Sequence, residues 1–167
     1  RSTSSTTTSR GDPSRVRSWL FGIAAGGMIA IEYAAARRSA VAGLVLYAAN
    51  ARGAWASDYP WPPTAEELQA WAERLRTHWG KSKGQADVAP TQAQDPAARD
   101  WWARVLRHAV SRNTLPTLVR EFARMDVRHH LPQLQVPVLI LQREGDRIVP
   151  PDTARYLAEH IPHARLC

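Results

Sequence analysis

Gly22-Ile23-Ala24-Ala25-Gly26 stands between a short apolar run and an alanine-rich helical stretch. Where a strand turns directly into a helix, the residue at the apex is strained. The residues two positions away must then be small, so that strand and helix can approach. In a Gly-x-Ser-x-Gly elbow, a serine at that apex holds its oxygen above the sheet, ready for nucleophilic attack. Here the apex is Ala24, and a methyl group cannot attack a carbonyl. The glycines, with Gly27, also suit a plain tight strand–helix connection, and the pentapeptide alone leaves both readings open.

Other reactive side chains offer little to replace a serine. His129 and His130 are adjacent, and adjacent side chains rarely point at one metal. His160 and His163 straddle a helix end and Pro162, a zinc pair at best, and surface residues are the commoner outcome. No cluster supplies the third ligand that a catalytic metal needs, so neither metal nor other cofactor is expected. The single cysteine, Cys167, is the last residue, which excludes an intrachain disulfide and asks for no oxidising compartment. Glu66-Glu67 reads as helix-start charge, favourable to the helix dipole.

The elements that must position these residues follow from the pattern of apolar positions. Residues 1–14, Ser/Thr-rich and without periodicity, read as a disordered leader, and Arg10-Gly11-Asp12 within it as a chance tripeptide. Val16–Phe21 can be a strand, Met28–Arg37 a helix opened by Gly26-Gly27, and Val41–Ala48 a strand buried on both faces. Tyr59-Pro60-Trp61-Pro62-Pro63 forces an extended turn. Thr64 with Glu67 matches a capping box, so Glu66–Trp79 is a helix with Leu68, Trp71, Leu75 and Trp79 along one side. Lys81–Asp95 is a polar loop; Ala97–Val110 and Leu115–Met125 are helices. Val136–Leu141 is a second buried strand, Arg143–Pro151 a loop, and Asp152–His160 the last helix. Alternating strand and helix predicts an α/β fold with a parallel sheet, interrupted by a helical block.

Taken in order, several segments then resemble the α/β-hydrolase superfamily. They are the elbow, Leu44-Val45-Leu46-Tyr47, Asp58-Tyr59-Pro60-Trp61, Asp126-Val127-Arg128 with Leu131-Pro132, Val138–Leu141 followed by Gly145-Asp146, and Arg155–Pro162. The chain is most similar to the hydrolase-like modules found beside actinobacterial nucleotide (adenylate) cyclases. The resemblance implies a partial hydrolase core over 18–50 and 131–167, with about three parallel strands, after a non-homologous leader at 1–17. It implies a helical cap over 51–130.

It places Ala24 at the nucleophile, the Ala25 N–H at one oxyanion donor and Asp146 at the triad acid. For Asp146 a helix cap or a pair with Arg147 is the bland alternative. In such a family the cap roofs an apolar pocket, with Trp61, Trp71 and Trp102 as lining candidates, although aromatics at helical spacing are more often core. The ancestral reaction would be hydrolysis of an ester or other acyl bond. With the serine replaced and the family's histidine expected beyond Cys167, the triad is incomplete, a pseudoenzyme pattern. A shifted reading frame or truncated gene would produce such a junction, as would a binding or regulatory module.

Composition is consistent with one domain. The chain has 167 residues, 44% hydrophobic and 22% charged, with a net charge of +7. Basic residues, nearly all arginine, are spread without a block or stripe, so no specific nucleic-acid partner is implied. Trp19–Ala36 imitates an export signal, but Glu32 and three glycines interrupt it, and a central charge costs about 3 kcal/mol in a membrane span. A cytoplasmic protein without a membrane span is expected. An apolar small molecule, or a partner or second copy at the open sheet edge, are the expected partners.

Overall fold

The computed structural model describes residues 16–81 and 89–167; the proposed leader at 1–14 and part of the polar loop at 81–95 lie outside them. Strand β1 (Ser18–Ile23) leads through Ala24 into helix α1 (Ala25–Ala36), followed by β2 (Val41–Tyr47). A helical excursion holds α2 (Ala65–His78), a 3₁₀ turn (Pro90–Gln92), α3 (Pro96–Ala109) and α4 (Leu115–Arg124). A 3₁₀ segment (Arg128–Gln133), β3 (Val138–Leu141), α5 (Pro151–His160) and β4 (Arg165–Leu166) complete the order. The sheet is parallel throughout, ordered β1-β2-β3-β4.

Local chemistry explains the element ends. Thr64 Oγ1 accepts from the Glu67 N–H at 3.2 Å while Glu67 Oε2 accepts from the Thr64 N–H at 2.8 Å, the reciprocal box read from sequence. Asp95 accepts from the Ala97 N–H at 2.9 Å and Pro96 occupies the first turn of α3. β2 stops at Tyr47 because Ala48 adopts φ 47°, which no strand accommodates. Gly26 and Gly27 lie inside the first turn of α1 instead of preceding it.

Three findings differ from the sequence reading. A fourth strand is present: Arg165–Leu166 pairs with Leu139–Ile140, and the Gln142 N–H donates to the Cys167 carbonyl at 3.0 Å. His129 and His130 lie in a 3₁₀ segment, not a loop. The sheet is covered on one face only among the described residues. Leu44, Leu46, Val138 and Ile140 share the face on which Met28 and Ile31 of α1 and Leu157 of α5 close the core. Strand alternation turns Val45, Tyr47, Leu139 and Leu141 the other way, where they are only partly buried and stand outside that core. A continuous apolar run records that both faces are apolar, not that both are covered.

The excursion has its own small core of Ala72, Leu115 and Val119, with Leu68, Leu75 and Trp79 against it. It leaves and rejoins the sheet layer through one antiparallel contact, Arg52 opposite Asp126, where the Gly53 N–H donates to Met125 and the Val127 N–H to Ala51, each at 2.9 Å. This neck joins the excursion to the sheet layer.

Candidate functional site

Ala24 sits at the apex between β1 and α1 with φ 48° and ψ −120°. For a residue with a Cβ this conformation costs on the order of 1–3 kcal/mol, and it persists only where the surroundings dictate it. They do so here by backbone contact. A Cβ on Gly22 would stand 2.7 Å from Gly27 Cα and 2.8 Å from the Gly26 carbonyl oxygen, and a Cβ on Gly27 would overlap that of Ala49. The Ala24 N–H donates to Tyr47 O at 3.1 Å and its carbonyl accepts from Gly27 N–H at 3.0 Å. Gly26, expected to be needed for the approach, faces open space; Gly27 carries that requirement. Ala24→Gly should therefore stabilise the fold by about 1 kcal/mol or more by relieving the strain. A urea midpoint that falls instead would show that Ala24 is unstrained.

Ala25 opens α1, where the first amides of a helix have no intrahelical acceptor. Asp146 lies in the loop after β3, so Ala24 and Asp146 both stand at the carboxyl ends of parallel strands, the end at which open α/β sheets bind ligands. The Asp146 side chain is 7% exposed. Its Oδ1 accepts from the Ile148 and Val149 N–H groups at 2.9 and 3.0 Å, and its Oδ2 lies 3.4 Å from Arg143, not Arg147.

The histidines are engaged elsewhere. His130 meets Glu32 of α1 at 3.1 Å and lies against His129, the rings tilted by 44° with centres 3.8 Å apart. His160 stacks on Tyr156 at 3.9 Å and its Nδ1 contacts the Tyr156 carbonyl. Among the described residues no group of three or more His, Cys, Asp or Glu could hold a metal ion, and no helix is long and apolar enough to cross a membrane.

The three tryptophans named from sequence are not brought together. Trp61 packs edge-on against Tyr59 at 4.8 Å and Tyr156 at 5.6 Å, bridging the Pro-rich turn to α5. Trp71 is exposed on α2, and Trp102 is half-buried beside Trp101, 6.2 Å between ring centres. A cleft of about 520 Å³ runs along α3, lined by Trp101, Arg104, Val105, His108 and Ala109. A second, of about 550 Å³, follows the edge of β1. None of Trp61, Trp71, Trp102, Ala24 and Asp146 lines either one.

The structure also assembles a cluster that sequence patterns did not assign a role. At the neck, Asp126 accepts from Arg128 Nε at 2.9 Å and Nη2 at 2.8 Å, and from Arg52 Nη1 at 2.7 Å; Arg128 Nη1 reaches Asp58 at 2.8 Å. Burial works to raise the Asp126 carboxyl, but the Arg128 and Arg52 hydrogen bonds outweigh it and hold the group below the usual carboxylate range. Hydrogen bonds to Asp126 push the Arg128 guanidinium up. Asp58-Tyr59 and Asp126-Val127-Arg128 were visible as motifs; their meeting across the cap was not.

Known proteins place this arrangement in context. The family model described as serine aminopeptidase, S33, matches residues 4–166. The pimeloyl-[acyl-carrier protein] methyl ester esterase of Neisseria meningitidis serogroup C is 30% identical over 151 residues, covering 88% of this chain and 58% of that protein. The enzyme of the same name from Nitrosomonas europaea is 28% identical, covering 84% and 58%. The chain thus spans less than two thirds of the length of these relatives. Among solved structures, an esterase from Exiguobacterium antarcticum superposes with a TM-score of 0.73 at 22% identity, over 91% of this chain and 57% of that one. The enol-lactonase from Burkholderia xenovorans LB400 gives 0.65 at 22%, over 91% and 56%. At such identities the structures speak for the fold alone. The model match over nearly the whole sequence decides the family: this chain belongs to the serine aminopeptidase S33 family, on the α/β-hydrolase fold.

Proposed function

We propose that the chain is a carboxylic-ester hydrolase-type domain that keeps the acyl-binding frame and, with alanine at the apex, performs no acyl-enzyme chemistry. The observation that carries this reading is Ala24 at φ 48°, ψ −120°, an elbow held in shape with a methyl where a nucleophile belongs. In a working site the apex oxygen attacks the ester carbonyl, a histidine takes its proton, and N–H groups hold the oxyanion. In this reading the Ala25 amide serves the last task, while Asp146 accepts from two backbone amides and lies near Arg143. Removing one triad member costs several orders of magnitude in rate.

The purified chain is expected to hydrolyse p-nitrophenyl butyrate and simple methyl esters no faster than buffer. Ala24→Ser alone should give no burst of nitrophenol, since no histidine among the described residues contacts Asp146. Turnover by the parent chain that survives repeated purification would overturn the first expectation, and a stoichiometric burst from the variant the second. Ligand retention without turnover is the second reading, favoured by the Trp101-lined cleft on α3. Saturable binding of an apolar fluorophore by the inactive chain is its signature.

The ordered segments from Leu44–Tyr47 to Arg155–Pro162 support membership of the cyclase-associated branch, for which a cyclase domain encoded alongside is the expected gene context. The exposed free thiol of Cys167 suits a reducing compartment, and we place the chain in the cytoplasm.

A further inference from the structure

The loop after β3 is closed into a ring by hydrogen bonds, and the side chain of Gln142 completes it. The Asp146 N–H donates to the Arg143 carbonyl at 3.2 Å. Asp146 Oδ1 accepts from the Ile148 and Val149 N–H groups. Gln142 Nε2 donates to the Val149 carbonyl at 3.1 Å and, more loosely, to that of Arg143 at 3.3 Å. Val149 is thus gripped at both poles, its N–H by Asp146 and its carbonyl by Gln142. Both neighbours of the Gln142 amide nitrogen are carbonyls, which fixes which end of the amide is the donor.

Local sequence makes these side chains necessary. Pro150 and Pro151 carry no N–H, so neither can bond back into the loop. In a regular helix Thr153 would reach the Val149 carbonyl four residues back. Instead it donates both its N–H and its hydroxyl to Pro150, at 3.0 and 2.8 Å. The Val149 carbonyl, on a residue only 4% exposed, is left to Gln142. Gln142 is itself fixed to the sheet, since its own N–H donates to the Cys167 carbonyl of the β4 segment. It therefore ties the loop to the strand that carries it. The tie has a cost: Gln142 Oε1 is buried with no hydrogen-bond partner among the described residues, and an unpaired buried acceptor is unfavourable. A side chain present for packing alone would do better as a hydrocarbon. What the amide supplies is its donor end.

We propose that Gln142 is a positioning residue for Asp146. It holds the loop so that Oδ1 stays on the two amides and Oδ2 is the oxygen turned to a reacting group or a ligand donor. Oδ2 lies 3.4 Å from Arg143, which is half-exposed. The acid role of Asp146 rests on the reading above. The positioning does not, because every bond of the ring lies between Gln142 and Val149.

The test is amide hydrogen exchange, read by NMR on the 167-residue chain. In the parent chain the Gln142 side-chain amide protons should exchange slowly and resonate away from their free-glutamine position. Gln142→Met keeps the length and removes the donor. It trades one unpaired buried acceptor, Oε1, for another, the Val149 carbonyl, so the urea midpoint should hold. The Ile148 and Val149 amides should nonetheless exchange about 10-fold faster or more, with the β3 amides unchanged. Asp146→Ala should release the same two amides. The double variant should be no faster than Asp146→Ala alone, because Gln142 acts through that carboxylate. Unchanged exchange at Ile148 and Val149 in Gln142→Met would overturn the proposal, as would a loss of protection spread equally through β3. A parent chain whose Gln142 side-chain amide exchanges as in free glutamine would overturn it even if neither variant folds. Ester turnover, the failure of the inactive reading, moves none of these signals, so the two failures are distinguishable.

Discussion

Gly53→Ala is expected to cost about 3 kcal/mol or more of folding stability, read as a fall in the urea midpoint. The reason is steric. A Cβ on Gly53 would overlap the Phe122 carbonyl and lie 2.8 Å from its carbon, and a backbone carbonyl cannot swing aside as a side chain can. Relief requires residues 51–53 to part from 125–127, which breaks the Gly53-to-Met125 hydrogen bond and pulls Arg52 from Asp126. Gly26→Ala is the internal control. It lies in the first turn of α1 with open space around the new methyl, so it should be neutral or gain about 0.5–1 kcal/mol. Equal losses at both positions would show that the neck is not the sterically closed point it is drawn as.

Tyr59 gives the second large effect and a pH dependence with a definite sign. Its ring is fully buried between Trp61 and Tyr156, with Arg128 5.9 Å above it, and its hydroxyl oxygen accepts from the Ala51 N–H at 3.0 Å. Burial, with a smaller push from Tyr156 and opposed by the Ala51 amide, raises the phenol to about 12. The folded chain therefore holds this proton more tightly than the unfolded chain, whose phenol titrates near its ordinary value of about 10. Stability from this group is complete below about pH 10 and declines as pH rises toward 12. Tyr59→Phe should remove that alkaline decline and, by leaving the buried Ala51 amide without its acceptor, cost about 1–3 kcal/mol at neutral pH. Tyr59→Ala should cost about 3–5 kcal/mol, because it also leaves a cavity. The checks are urea unfolding at pH 7 and the alkaline arm of the stability profile; a wild-type arm unchanged by Tyr59→Phe would refute the assignment.

What the sequence made legible were requirements local in the chain. The elbow was visible because two short backbones can approach only over small residues; Gly22 meets that requirement, while the second tightly packed glycine is Gly27 and not the expected Gly26. The capping box at Thr64 and Glu67 was visible for the same reason, three residues apart. β2 and β3 announced themselves as apolar runs, and the sheet is parallel as the alternation required. The rest depends on distant residues or on what is absent. Arg52 and Asp126 are 74 positions apart, and nothing in either neighbourhood marks the other as its partner. Arg165–Leu166 is too short to show a period. Trp71 has helical spacing with Leu68 and Leu75 yet points outward, because the cap core is only a few residues wide. Asp146 stands after β3 as the family pattern implied, but its actual partners, two amides and Arg143, follow from a loop shape that no motif encodes.

The neck has a consequence for how such a chain can change. Because the excursion departs and returns through facing residues, Arg52 and Asp126, its two ends are neighbours in the fold. Replacing it by a longer or shorter insert alters a loop-closure entropy that grows only logarithmically with length. The pairing of β2 with β3 and the strained apex at Ala24 lie wholly on the core side of that junction. The helices α2–α4 are in this sense an exchangeable cassette, provided that Tyr59 and Trp61, which pack in the sheet's own core, stay in place.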